Sequence, residues 1–161
     1  MKSMSRKLIA PLTVAAMAAA PAYALDVTRT ETIAAPPAKV WAAIAPFCSI
    51  GDWHPAIAKC TLVDAGGHPQ RDLALKGGGE IVEQQVFIDD AKMTYTYIIV
   101  KGPLPVANYQ SSLTVLPDGK GSKLVWTGTF DAKGATDAKA KDVIAGIYES
   151  GLKGIAAKVA Q

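Results

Sequence analysis

Between residues 80 and 130 four long, regular runs follow one another, rich in Val, Ile, Tyr, Thr and Trp: Glu80 to Ile88, Lys92 to Val100, Asn108 to Leu116 and Ser122 to Phe130. Runs of this composition, bounded by turn residues, mark strands. The runs are broken by Asp89-Asp90, by Gly102-Pro103-Leu104-Pro105 and by Pro117-Asp118-Gly119. Connections this short join antiparallel neighbours, so the four runs predict a meander. Leu25 to Ile33 sets Val27, Arg29, Glu31 and Ile33 against Asp26, Thr28, Thr30 and Thr32, which predicts a first strand with a polar exposed side. Ala58 to Asp64 and Gln70 to Lys76 flank Gly66-Gly67 as a shorter hairpin, and Gly77 to Gly79 supply the next turn.

Two stretches change period. Pro36 and Pro37 suit the first turn of a helix, and Val40, Trp41, Ile44 and Phe47 then form an amphipathic stripe that ends near Ala45, with Pro46 and Gly51 as stop signals. Beyond a small-residue connection from Ala132 to Ala135, Thr136 or Asp137 caps a long final helix reaching about Val159. On that helix Ile144, Ile147, Tyr148, Leu152, Ile155 and Val159 share one broad face. Gly151 lies in the middle of the face, with Gly146 and Gly154 on a flank. Each glycine costs about 1 kcal/mol relative to alanine, which is offset either by close packing of helix on sheet or by space kept for a ligand. The order predicts an α+β fold in which one curved antiparallel sheet is covered by the last helix, with an elongated apolar space between them.

The N-terminal residues carry a different message. Lys2, Arg6 and Lys7 precede an apolar run from Leu8 to Ala20, and Ala22-Tyr23-Ala24 places small residues at a cleavage position. This is the pattern of a secretory signal peptide, residues 1–24, cut after Ala24 to leave residues 25–161 as a single periplasmic domain. Pro11 and Pro21, and the shortness of the run, argue against a retained membrane helix, so no transmembrane segment is expected in the mature chain. Three of the 17 basic residues and none of the 14 acidic ones fall in the leader, which leaves 14 of each. A neutral domain lacks the electrostatic footprint of a nucleic-acid or anionic-membrane binder.

Candidate chemistry gathers in Phe47 to Cys60. Cys48 and Cys60 are the chain's two cysteines, and in an oxidising compartment they are expected to pair, stabilising the fold by roughly 3 kcal/mol on the chain-entropy argument. A zinc site from Cys48, His54, Cys60 and His68 is the alternative, although its spacings match none of the usual ligand pairs. His54 beside Asp52 has the composition of a general acid/base with an orienting carboxylate; His68 reads as an exposed turn residue. Glu83 alternates with Val82, and Tyr95 and Tyr97 with Thr96 and Ile98, and because both sets contain apolar residues the inward face stays open. If Glu83, Tyr95 or Tyr97, Tyr109 and Trp126 point inward, they form an apolar pocket with polar anchors, joined by Tyr148 and Gly151 from the final helix and rimmed by Trp53 and His54. An inward Glu83 needs a partner, for which Arg71 is the candidate. No cofactor is called for, since Gly77-Gly78-Gly79 lacks the helix that a phosphate loop requires.

The opening Ile33-Ala34-Ala35-Pro36-Pro37-Ala38-Lys39-Val40-Trp41 and the order of elements resemble the START-like, helix-grip superfamily, which includes the polyketide cyclase/dehydrase and lipid-transport group. The segments Phe47-Cys48, Gly51-Asp52-Trp53-His54-Pro55, Arg71-Asp72-Leu73, Gly102-Pro103-Leu104-Pro105-Val106 and Asn108-Tyr109, with Trp126, resemble its exported bacterial branch, which contains MxaD. The superfamily resemblance implies a sheet of about six to seven strands wrapped round the C-terminal helix, with short helices after strand 1. It also implies a cavity for a small hydrophobic or amphipathic molecule and no fixed catalytic set. The branch resemblance implies an accessory role beside a periplasmic quinoprotein (methanol) dehydrogenase and its cytochrome. A cyclase or dehydratase using His54 with Glu83 or a tyrosine is the enzymatic alternative.

Overall fold

The structure, a computed structural model, describes residues 24–161; the expected leader lies outside them apart from Ala24. The chain runs β1 (Leu25–Ile33), α1 (Pro37–Ile44), α2 (Ile50–Trp53), β2 (Ile57–Asp64), β3 (Pro69–Leu75), β4 (Glu80–Asp89), β5 (Thr94–Lys101), β6 (Val106–Asp118), β7 (Gly121–Ala132) and α3 (Asp137–Val159). The seven strands form one antiparallel sheet in the order β1-β7-β6-β5-β4-β3-β2, with α3 laid against its concave face. This is the helix-grip arrangement implied by the element order.

Each helix starts where its sequence allows. Pro37 opens α1 where its missing N–H costs nothing, and Val40, Trp41 and Ile44 turn inward. Trp41 Nε1 donates to Asp90 Oδ1 at 3.0 Å, tying α1 to the β4–β5 turn. Thr136 caps α3 by accepting the Lys139 N–H at 3.3 Å. The buried side of α3 comprises Ala140, Ile144, Ala145, Tyr148, Gly151, Leu152, Ile155 and Val159.

The α1–α2 connection is stapled to β2 by the Cys48–Cys60 disulfide, with a Cα–Cα separation of 5.6 Å. That bond takes up both sulfurs, and His68 is exposed on the β2–β3 turn, so the four-residue zinc arrangement is not assembled. A bulge between Gln85 and Phe87 interrupts the β4–β5 ladder. Up to it Ile81, Glu83 and Gln85 point inward; beyond it Val86, Phe87 and Ile88 are all exposed, at 43%, 51% and 43%. Another irregularity, between Ala107 and Gln110, lets β6 extend beyond the sequence expectation, with Asn108 in the left-handed region at φ 51°. Among the described residues no helix is long and apolar enough to cross a membrane.

Candidate ligand cavity and its polar wall

Between α3 and the sheet lies a cavity of about 130 Å³. Leu73, Leu75, Ile81, Glu83, Tyr97, Ile99, Tyr109 and Trp126 line it from the sheet, Ile144 and Ile147 from α3, and Ile50, His54, Ala56 and Ile57 from the stapled segment, with Leu104 completing it. Ala56, Leu75, Ile99, Leu104 and Ile147 keep partial or full exposure and mark its mouth.

Glu83 is the charged member of the wall. It pairs across the β3–β4 ladder with Arg71, whose Nε donates to Glu83 Oε2 at 2.6 Å while Nη1 donates to the Phe47 carbonyl at 2.6 Å. The guanidinium carbon sits 4.1 Å from the Phe47 ring centre and 5.0 Å from that of Tyr97. Burial pushes the Glu83 carboxyl above the usual carboxylate range, and the adjacent guanidinium pulls it back. Arg71 Nη2 and the Tyr95 hydroxyl are buried without a hydrogen-bond partner among the described residues, behind the cavity wall rather than in it.

The remaining polar groups form a chain whose hydrogens can be assigned. Trp126 Nε1 can only donate, and does so to Tyr97 OH at 3.1 Å and Ser111 Oγ at 2.9 Å. The Thr127 carbonyl can only accept, and takes the Ser111 hydroxyl hydrogen at 2.6 Å. Ser111 therefore accepts from Tyr148 at 2.9 Å, Tyr148 accepts from Tyr109 at 2.6 Å, and Tyr109 accepts from Tyr97 at 3.4 Å. Gly128 makes this possible: a Cβ there would stand 2.1 Å from the Tyr148 hydroxyl, so its absence opens the notch through which α3 reaches the sheet. Tyr148 also stacks on Trp126, with ring centres 4.6 Å apart. Burial raises Tyr97 and Tyr109 well above the ordinary phenol range and pushes Tyr148 up to about 12, so all three are neutral phenols at physiological pH.

His54 is similarly committed. The Ala56 N–H donates to Nδ1 at 3.2 Å, which places the imidazole hydrogen on Nε2, where it meets the Ile147 carbonyl at 3.2 Å. Asp52 is exposed and takes no part, so the Asp52–His54 pairing that composition allowed does not form, and His54 makes two backbone contacts instead. Burial, opposed by the Ile147 contact and aided by Arg71 and Lys76, lowers the His54 pKa. The unfolded chain therefore takes up a proton first, and the stability contributed by neutral His54 is full above pH 6.5 and lost as the pH falls below it. The melting temperature should drop between about pH 7.5 and pH 5.5, and His54→Gln should flatten that dependence. An unchanged pH profile in the variant would contradict this account.

Of the residues singled out from sequence, His54, Glu83, Tyr97, Tyr109 and Trp126 meet at the cavity. Trp53, Tyr95, Tyr148 and Gly151 do not line it. Trp53 is buried beneath α3, edge-on to Trp126 at 5.9 Å, rather than at a rim. Tyr95 packs against Trp41 and Phe47, and Tyr148 supports the wall from behind. Gly151 answers to packing: a Cβ there would lie 2.6 Å from Trp126 Cζ3 and 2.8 Å from His54 Cδ2. The aliphatic lining from β3, β4 and β5 went unmarked in the sequence, where inward Leu73, Ile81 and Ile99 look no different from exposed Val86 and Val100.

The profile of the polyketide cyclase / dehydrase and lipid transport family matches residues 24–160. The chain belongs to this family. Among solved structures, the family member is similar to the protein XoxI from Bacillus cereus, with 33% identity, a TM-score of 0.79, and coverage of 84% of this chain and 96% of that one. A protein from Bacillus thuringiensis gives 32% identity and a TM-score of 0.79, over 85% and 100% of the two chains. The Zhui aromatase/cyclase of Streptomyces sp. R1128 shares the fold at 19% identity and a TM-score of 0.71, over 86% and 94%. No curated protein matches the sequence.

Proposed function

We propose that this protein binds a small hydrophobic or amphipathic molecule in the cavity between the sheet and α3, after export through its leader to the periplasm. The observation that carries the reading is the cavity itself: about 130 Å³, walled almost wholly by aliphatic and aromatic side chains, with a mouth at Leu104 and Ile147. Pockets of this composition take apolar ligands, and the family description, which includes lipid transport, points the same way. The Cys48–Cys60 disulfide fits an oxidising compartment. Catalysis through His54 is disfavoured because both ring nitrogens are already engaged by backbone groups.

Native mass spectrometry of protein purified from its own host is expected to show a retained small molecule. Ile147→Trp, which fills the mouth from a half-buried position, should abolish its retention while leaving the circular dichroism spectrum unchanged. Retention by the variant at the wild-type level would place the ligand elsewhere.

The accessory reading also has an observation behind it. Val86, Phe87 and Ile88 are large apolar side chains in succession on β4, left 43–51% exposed, and exposed apolar groups of this kind occur at protein contacts. If this surface meets a periplasmic quinoprotein dehydrogenase or its cytochrome, Phe87→Ser should weaken binding to the purified partner at least tenfold, roughly the loss of a central apolar anchor. Equal binding by the variant would remove Phe87 from any such contact.

A further inference from the structure

We infer that the cavity selects a neutral molecule of single-ring size carrying one hydrogen-bond donor, which it receives at the Glu83 carboxylate. This inference rests on the ligand-binding reading above and specifies what that ligand is. Two observations carry it, one of volume and one of hydrogen-bond accounting.

The volume sets the size. An apolar cavity of about 150 Å³ holds benzene, so a space of about 130 Å³ takes one ring with at most a small substituent. A fused-ring molecule held wholly inside would have to displace Leu73, Ile144 or Trp126, which are at most 2% exposed and close-packed, and a long chain would leave most of its length outside the mouth, in water.

The accounting sets the polarity. The polar hydrogens of the wall's side chains already have acceptors, that of Tyr97 in a long contact of 3.4 Å to Tyr109. Trp126 Nε1 donates to Tyr97 and Ser111, Tyr97 to Tyr109, Tyr109 to Tyr148, and His54 Nε2 to the Ile147 carbonyl. A ketone, ether or carboxylate entering the cavity would therefore lose its hydration and find no donor in return. Glu83 offers the opposite: Arg71 engages Oε2 and is the residue's one hydrogen-bond partner among the described residues, which leaves Oε1 able to accept. The charge of Glu83 is already balanced by Arg71 at 2.6 Å, so the pair favours a neutral hydroxyl or amine over an ammonium ion.

The test uses two isomers of equal heavy-atom count, p-cresol, which donates, and anisole, which does not, together with benzoate and dodecanoate. Each is titrated into the purified wild-type protein by calorimetry, with cavity occupancy read from the indole resonance of Trp126. p-Cresol is expected to bind at least about fivefold more tightly than anisole, the worth of one net hydrogen bond, with benzoate and dodecanoate excluded. Glu83→Gln should shrink the preference, and the wild-type series stands by itself if that variant fails to fold. Anisole binding as tightly as p-cresol would overturn the role of Glu83 while leaving a ligand cavity in place. Dodecanoate binding more tightly than either ring would overturn the size limit. Failure of every probe to enter would overturn this inference, while the ligand-binding reading would still stand or fall on the retention of a native molecule.

Discussion

Arg71→Met should destabilise the protein by about 3–5 kcal/mol in urea denaturation at neutral pH, the loss expected when one partner of a buried ion pair is removed. The reason lies in what is left behind. Arg71 is 1% exposed and holds Glu83 and the Phe47 carbonyl at once. Without it a carboxylate and a carbonyl oxygen are stranded in an apolar wall, and Glu83 takes up a proton to avoid the cost of a lone buried charge. Adding Glu83→Leu to Arg71→Met should therefore recover most of the loss, since replacing both members of a buried pair by apolar side chains is often close to neutral. A cost below about 1 kcal/mol for the single variant would mean that the pair is solvated in solution.

Gly154→Ala should cost at least about 2 kcal/mol, even though alanine is intrinsically better than glycine in a helix by about 1 kcal/mol. A Cβ at position 154 would fall 1.9 Å from the Trp53 carbonyl oxygen and 3.0 Å from its carbon, and both atoms are backbone that cannot swing aside. The helix must lift off α2. Gly146 supplies the control on the same helix: it is exposed, with nothing within 4 Å of its added Cβ, so Gly146→Ala should stabilise by roughly 0.5–1 kcal/mol. Opposite signs in thermal denaturation support the packing account, whereas two stabilised variants would show that α3 rides higher on the sheet than described.

The strands were legible because their composition and turns are local properties. Glu80 to Ile88 became Glu80–Asp89, and Leu25–Ile33 matched its expected bounds. The start of α3 was legible for the same reason, through Thr136. The face of each strand was not, because the inward set here includes Glu83, Gln85 and Ser111 while apolar Val86, Phe87 and Val100 point out. Only a partner elsewhere in the chain makes an inward Glu83 tolerable, and that partner was legible as Arg71. Helix α2 spans four residues, too few to show a period, and was expected from the resemblance alone. Trp53 and His54 looked like rim residues because nothing local to them reports that α3 closes over them.

The order of the strands also governs when the protein can fold. Strands β2 to β7 each pair with their neighbours in sequence, so that part of the sheet can zip up progressively. The first strand is the exception, since Leu25 to Ile33 pair with Ser122 to Phe130, on the far side of every other strand in the sequence. Contacts of such separation form late, because the loop must be closed before they repay its entropy. A chain still being synthesised therefore has no partner for β1 and no α3 over the cavity wall. Leu73, Tyr97 and Leu113 stay open to water until the last forty or so residues arrive, the interval in which exposed apolar surface makes a chain most prone to aggregate.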